Sequence, residues 1–325
     1  MNAQALVGAS VAVAKNGTIL YAQGYGYADL NTCKPVQPSM DFQIGSLTKQ
    51  FTAAAVLQLQ NTGKLNIDNP VVSYLPAYSF DPRITLRMLL TQTSGLQDYL
   101  GFPSANSWTG GVSEPTVLTQ IAQAPVVFTP GLYFQYSNSN YFVLGSVIEA
   151  VSTVSYASYM ATNIFQPAGL NNTAYLQPAA IATPYTPGPS PGFIPDPSLF
   201  FSAGALWSNV QDLATWDAAL LNGKVIPPAL FTVMVTPPPG VTNYQQGGPT
   251  DYAMGWVHGG EVGHPFIWHN GETYSYTSVN GMFLDDGFSV VVLTNMPVHE
   301  DTPLLNLEQE LMQAICTSSA TAGDC

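Results

Sequence analysis

Strand-like runs lie at the two ends of this chain, and the long middle reads as short helices and loops. Residues 5–29 have the form of a hairpin. "ALVGASVAVAK" and "TILYAQGYGYA" are rich in Val, Ile and Tyr, and they flank "NGT". Three further runs, "YAMGWVHG", "YSYTSVNGMFL" and "FSVVVLTN", follow residue 251. Between them, residues 183–197, "TPYTPGPSPGFIPDP", carry six prolines and can only be loop or extended chain. Such a chain builds a sheet by bringing its ends together. The expected fold class is therefore α/β (α+β type): a sheet-plus-helix domain from residues 1–75 and 205–325, with a mostly helical, loop-rich region at 76–204.

The helices are legible in outline. Residues 46–61 are apolar nearly all round, which predicts a buried helix, with Gly63 as its C-cap. "TLRMLLTQTSGL" and "NYFVLGSVIEAVS" are the clearest helical pieces of the middle region. "SNVQDLATWDAAL" predicts a helix capped at Ser208 or Asn209, and residues 304–316 predict a last one.

Composition narrows the function. The chain has 325 residues, 46% hydrophobic and 8% charged, which suits a large packed core and excludes a disordered protein. The net charge of −13 repels phosphate backbones and anionic membranes, so no nucleic-acid partner is expected. Few cations also suit an acidic habitat. No stretch reaches the ~18 apolar residues of a membrane span, so none is expected. The start, "MNAQALVGAS", lacks a basic n-region, as a mature secreted protein would; the expected location is extracytoplasmic or secreted. Cys33, Cys316 and Cys325 are an odd set: Cys316 and Cys325 could close a short loop, or all three could be free thiols. No Cys or His spacing resembles a zinc site, and the sequons at Asn16 and Asn171 are weak signals.

Lys49, one of only seven Lys and Arg residues, stands three positions after Ser46 in "IGSLTKQFTAAAVLQLQ". On a helix, positions i and i+3 share a face, so hydroxyl and amine can meet. At the first turn the Ser46 N–H lacks an intrahelical acceptor and can bind an oxyanion. An apolar setting lowers a lysine pKa until the amine can accept a proton. The plain alternative is an N-capping Ser and a solvated Lys. A second cluster, "FQYSNSNYFVLGSVIEAV", offers Tyr136 and Asn138. A phenol beside an ammonium is expected to have a lowered pKa and to shuttle protons. An Asn two residues on faces the same way if the segment is extended. Core packing and a turn would account for these two equally well. A third, "WHNGETYSYTSVNG", offers His269 and Gly271 on an edge strand, with the backbone N–H of Glu272 as a second oxyanion donor. An exposed His in a turn is the plain alternative there.

In order and spacing these stretches, with "ITLRMLLTQTSGL" and a closing "VVVLTN", resemble the serine β-lactamase and penicillin-binding-protein family from about Gly8 to Asn295. The likeness is greatest to its class C branch, which also holds D-alanyl-D-alanine carboxypeptidases, D-aminopeptidases and family VIII esterases. The resemblance implies an antiparallel β-sheet flanked by helices, with the site in a groove beside the helical region. Ser46 and Lys49 match the S-x-x-K pair and Tyr136 and Asn138 the Y-x-N motif, while His269 and Gly271 stand where K-T/S-G is usual. The implied activity is acyl transfer through an acyl-enzyme, on a small-molecule ester, amide or lactam, with no metal or organic cofactor. Lys49 and Tyr136 remain alternatives for the general base, as a coupled pair.

Departures from the motifs bear on the substrate. His269 replaces a fixed lysine charge and, if unperturbed, is cationic only near pH 6 or below. Glu272 would repel an anionic substrate if it faces the cleft. Both favour a neutral ester or amide over penicillins and D-Ala-D-Ala termini. The alternatives are a β-lactamase or D-alanyl-D-alanine carboxypeptidase, and a non-catalytic binding protein on the same fold. Gln92, where many relatives have His, is expected to support the fold. No G-x-S-x-G elbow occurs, which argues against an α/β-hydrolase.

Overall fold

The two ends of the chain pair side by side at the centre of one sheet. The computed structural model describes residues 6–186, 190–248, 250–259 and 265–298. Strands β1 (Gly8–Lys15) and β2 (Thr18–Asp29) form the expected hairpin. Asn16 and Gly17 turn it with φ of 50° and 79°, left-handed values that Asn and Gly tolerate and that match the twist of a tight hairpin. A two-residue strand, β3 (Lys34–Pro35), borders β2. From the other end come β4 (Val257–Gly259), β5 (Phe266–Glu272), β6 (Thr277–Phe283) and β7 (Phe288–Thr294). The order across the sheet is β3-β2-β1-β7-β6-β5-β4, antiparallel throughout.

Every residue of β6 and β7 is buried, so these strands are covered on both faces, and this is why "FSVVVLT" reads as an almost unbroken apolar run. One face packs Ala12, Met282, Val291 and Leu293 into the main core with the helices. The alternate positions, Val11, Phe283, Val290 and Val292, join a separate cluster on the other face.

The expected helix at 46–61 is a 3₁₀ turn, Gly45–Leu47, followed by α1 (Thr48–Asn61). Its first ten residues are all buried, as a helix apolar on every side requires. Phe51 stacks on Trp216 with ring centroids 4.1 Å apart. Two further helices matter here: α2 (Asn138–Ser152), which begins at Asn138, and α3 (Val210–Leu221), which carries Trp216 against α1. Asn209 caps α3, accepting from the N–H groups of Gln211 and Asp212.

Three expectations change in extent. "TLRMLLTQTSGL" is helical only over Leu86–Leu90, because Gln92 turns the backbone to φ 59°. "YAMGWVHG" is strand only at Val257–Gly259. Gly255, at φ 80°, bends the preceding residues against α1, and a Cβ there would meet Lys49 backbone atoms at 3.0 Å. All of β5, residues 266–272, lies outside the three strand-like runs, and it includes His269 and Gly271, expected on an edge strand. Cys33 is an exposed free thiol, and Asn16 and Asn171 are exposed. The helix expected at 304–316 and the pair Cys316 and Cys325 lie outside the described residues. Among the described residues no helix is long and apolar enough to cross a membrane.

Candidate active site

Two glycines let the turn at Gly45–Leu47 touch the edge of β5. A Cβ on Gly271 would lie 2.1 Å from the Ile44 carbonyl oxygen and 2.9 Å from the Ser46 nitrogen. One on Gly45, whose φ is 51°, would lie 2.7 Å from the Glu272 nitrogen. All three are backbone atoms with little room to yield. Ser278 Oγ pins the contact by donating to the Ile44 carbonyl at 2.8 Å.

Strand β5 is an edge here although β4 lies outside it, because β4 reaches only to Trp268. The Thr273 N–H bonds the Tyr276 carbonyl on the β6 side. Successive residues of a strand alternate sides, so the Glu272 N–H faces the Ser46 turn. The N–H groups of Ser46 and Glu272 thus border one space at the strand edge.

Ser46 is partly exposed and its hydroxyl is the hub of the cluster. Lys49 Nζ lies 2.9 Å from Ser46 Oγ, and Tyr136 OH donates to the same oxygen at 2.9 Å. Lys49 is fully buried. Its amine also meets Asn138 Oδ1 at 2.8 Å and the Ala203 carbonyl at 2.7 Å, and it sits 4.9 Å from the centroid of the Tyr136 ring. A neutral amine has two N–H groups and one lone pair. The two carbonyl oxygens can only accept, so they take the N–H groups. Of the three hydrogen-bond partners, the Ser46 hydroxyl alone can donate to the lone pair.

Tyr136 and Asn138 reach the same cluster because Ser137 between them is extended, at φ −150° and ψ 125°. Asn138 is the first residue of α2. Gln92 holds this approach: its carbonyl accepts from the Gln135 N–H at 3.0 Å, and its Oε1 accepts from the Ser137 N–H at 3.0 Å and from Asn140 Nδ2 at 2.5 Å. The left-handed bend at Gln92 and its short helix serve this clamp. Asp98 holds Asn138, accepting from its N–H at 3.1 Å and from its Nδ2 at 2.8 Å.

Burial sets the protonation states. It lowers the Lys49 pKa to about 7, and the charge of Asp98 pulls it partly back. Tyr136 moves the opposite way to expectation: burial, then Tyr252, raises its pKa well above the ordinary phenol value. A phenol removed from water is penalised as phenolate more than the nearby amine can repay. His269 also differs. Burial, then Lys49, lowers its pKa to about 3, so it is neutral at pH 6. Its imidazole packs 5.6 Å from the Tyr252 ring, whose hydroxyl lies 3.3 Å from Nε2.

All seven expected site residues therefore meet: Ser46, Lys49, Tyr136, Asn138, His269, Gly271 and the N–H of Glu272. Beside them opens a cavity of about 490 Å³, with Leu100, Leu199, Phe200, Glu272 and Tyr274 in its wall. Glu272, an exposed residue, thus lines this cavity. Among the described residues no group of three His, Cys, Asp or Glu could hold a metal ion. Sequence reasoning passed over Asp98, Tyr252 and the Ala203 carbonyl. Asp98 in "SGLQDYL" has the local signature of a cap, which it also is, to the Leu100 N–H; its contact with Asn138 spans 40 residues.

A family model described as Beta-lactamase matches residues 1–311. A penicillin-binding protein of Bacillus subtilis (strain 168) is 29% identical over 330 residues, covering 94% of this chain and 70% of that protein. Other curated relatives are longer, and the chain spans 60% and 59% of two of them. Among solved structures, the octameric penicillin-binding protein homologue from Pyrococcus abyssi superposes with a TM-score of 0.80 at 26% identity, over 97% of this chain and 74% of that one. A D-stereospecific amidohydrolase from Streptomyces sp. gives 0.76 at 26% identity, over 90% of each chain.

Proposed function

The chain belongs to the Beta-lactamase family, and from that premise we propose that it is a serine hydrolase working through an acyl-enzyme on a neutral ester or amide. The observation that carries the reading is the Ser46 hydroxyl, bonded at 2.9 Å both to a buried lysine amine and to a phenol. In this reading Ser46 Oγ attacks the carbonyl carbon and its proton passes to the Lys49 lone pair. The carbonyl π pair moves onto oxygen, where the N–H groups of Ser46 and Glu272 receive it. The C–O or C–N bond to the leaving group then breaks, and Tyr136 gives that group its proton, drawing one in turn from Lys49. Water attacks the acyl carbon by the same route, and Ser46 leaves with its proton restored. The opposite pKa shifts favour Lys49 as base and Tyr136 as acid: at neutral pH the amine can be free while the phenol keeps its proton.

Two features support a neutral substrate. His269 is neutral, and an acidic residue, Glu272, lines the cavity. An anionic lactam would find no cation at the third motif. A β-lactam remains the second reading, favoured by the penicillin-binding relative in Bacillus subtilis. An extracytoplasmic or secreted location belongs to the same proposal.

Hydrolysis of p-nitrophenyl butyrate and nitrocefin separates these readings. The ester is expected to turn over faster, and Ser46→Ala to lose about 10⁴-fold or more in kcat/KM on it. A Ser46→Ala variant with undiminished hydrolysis would refute the assignment. Glu272→Gln is expected to favour nitrocefin by about three- to tenfold relative to the ester, by removing a like charge; an unchanged ratio would show that the carboxylate does not set the preference.

A further inference from the structure

We propose that Asp98 is a positioning residue, which holds the Asn138 amide in the one orientation that leaves the Lys49 amine directed at Ser46. The inference rests on the reading of Ser46 and Lys49 as nucleophile and base.

The argument starts from what each atom can do. Asn138 Nδ2 lies 2.8 Å from Asp98 Oδ2, and the Asn138 backbone N–H reaches the same oxygen at 3.1 Å. The other carboxylate oxygen accepts the Leu100 N–H at 3.0 Å. Three N–H groups therefore converge on Asp98, engaging both oxygens as acceptors. A carboxylate that accepts cannot face the amide carbonyl, so the NH₂ of Asn138 points to Asp98 and Oδ1 points to Lys49. That Oδ1 takes one amine N–H and the Ala203 carbonyl takes the other. The lone pair then has the Ser46 hydroxyl as its partner. With the amide turned over, Nδ2 would offer an N–H to the amine. The lone pair would be occupied away from Ser46, and the base would be lost without any change in its own position.

Charge adds a second handle. The groups around Lys49 are Tyr136 and Tyr141 from the α2 side, His269 from β5 and Asp98 from the turn before Leu100. The two tyrosines and the histidine are neutral at pH 7. Asp98 supplies the negative charge that favours the ammonium form. Removing it therefore lets the amine lose its proton at lower pH.

Two variants split position from charge, with kcat/KM for p-nitrophenyl butyrate measured from pH 5 to 9. Asp98→Asn is expected to lose roughly ten- to a hundredfold in rate, part of what a positioned base contributes, and to move the acid limb to lower pH. Asp98→Glu keeps the charge but displaces the oxygens by a methylene. Its limb is expected to stay near that of the wild type while the rate falls. A merely structural role would lower the rate of Asp98→Asn and leave the limb in place, which would overturn the proposal, as would a profile matching the wild type in height and limb. If Asp98→Asn lacks a folded circular dichroism spectrum, the test passes to Asp98→Glu, where an unchanged rate overturns it. Fluorophosphonate labelling of the wild type keeps the two readings apart. Labelling lost in Ser46→Ala upholds the nucleophile whatever Asp98 does, and labelling retained there removes the premise.

Discussion

The lysine at position 49 is fully buried, and among the described residues no carboxylate is in direct contact with its amine. Burial costs an ammonium its hydration, and the structure answers by lowering the pKa to about 7 rather than by pairing the charge. Activity should therefore rise with pH through about 7 as the amine is freed, with an acid limb in kcat/KM at that pH. A limb near pH 3 would assign it to His269 instead. Lys49→Arg keeps a cation that cannot be deprotonated, so it should lose roughly 10²–10⁴-fold in kcat/KM across the whole range. At this scale the sequence was most informative where the chemistry is local. Ser46 and Lys49 are one helical turn apart, and that spacing alone lets them meet. The neutral state of His269 and the protonated state of Tyr136 were not readable, because both follow from burial by residues distant in the chain, Tyr252 among them.

At the scale of elements, the site is a contact between one turn and one strand, and small residues permit it. Gly271→Ala would place its Cβ against the Ile44 carbonyl and the Ser46 nitrogen, which belong to the backbone and cannot rotate away. Turn and strand must separate, and the two N–H groups with them. We expect a loss of about 10²–10³-fold in kcat, the cost of an oxyanion donor, with a circular dichroism spectrum close to that of the wild type. Full activity in this variant would place the oxyanion elsewhere. Helix α1 holds Lys49, just after the Ser46 turn, on a base of packed rings. Phe51→Ala would remove the stack on Trp216 and cost about 3–5 kcal/mol, read as a lower urea midpoint. The burial of α1 was legible in its all-round apolarity. The ends of the shorter elements were not: Gln92 stops a helix by taking a left-handed φ for the sake of the Ser137 clamp, and no local propensity reports that.

At the scale of the whole molecule, the sheet joins residues nearly 300 positions apart, Ala9 lying opposite Thr294, and the protein holds buried and half-buried carboxylates that suit acid better than base. Burial raises the pKa of Asp41 to about 7, of Asp217 to about 8 and of Glu149 to about 7. Each binds a proton more tightly folded than unfolded, so stability is gained as pH falls through the folded values toward the ordinary carboxylate range. Lys49 and His269 act in the opposite sense: the Lys49 loss on acidification falls between about 10 and 7, while the His269 loss falls below about 6.5, inside the window, as one group against three. The urea midpoint should therefore be higher at pH 5 than at pH 7.5; a maximum above neutrality would contradict this and the acidic habitat together. The proposed function rests on one hydroxyl, and the most direct measurement is to find where an acyl-like probe attaches. After reaction with a fluorophosphonate at several pH values, peptide mapping by mass spectrometry should place a single adduct on Ser46, formed faster as pH rises through about 7. An adduct on another residue, or a Ser46 left unmodified at every pH, would contradict the account.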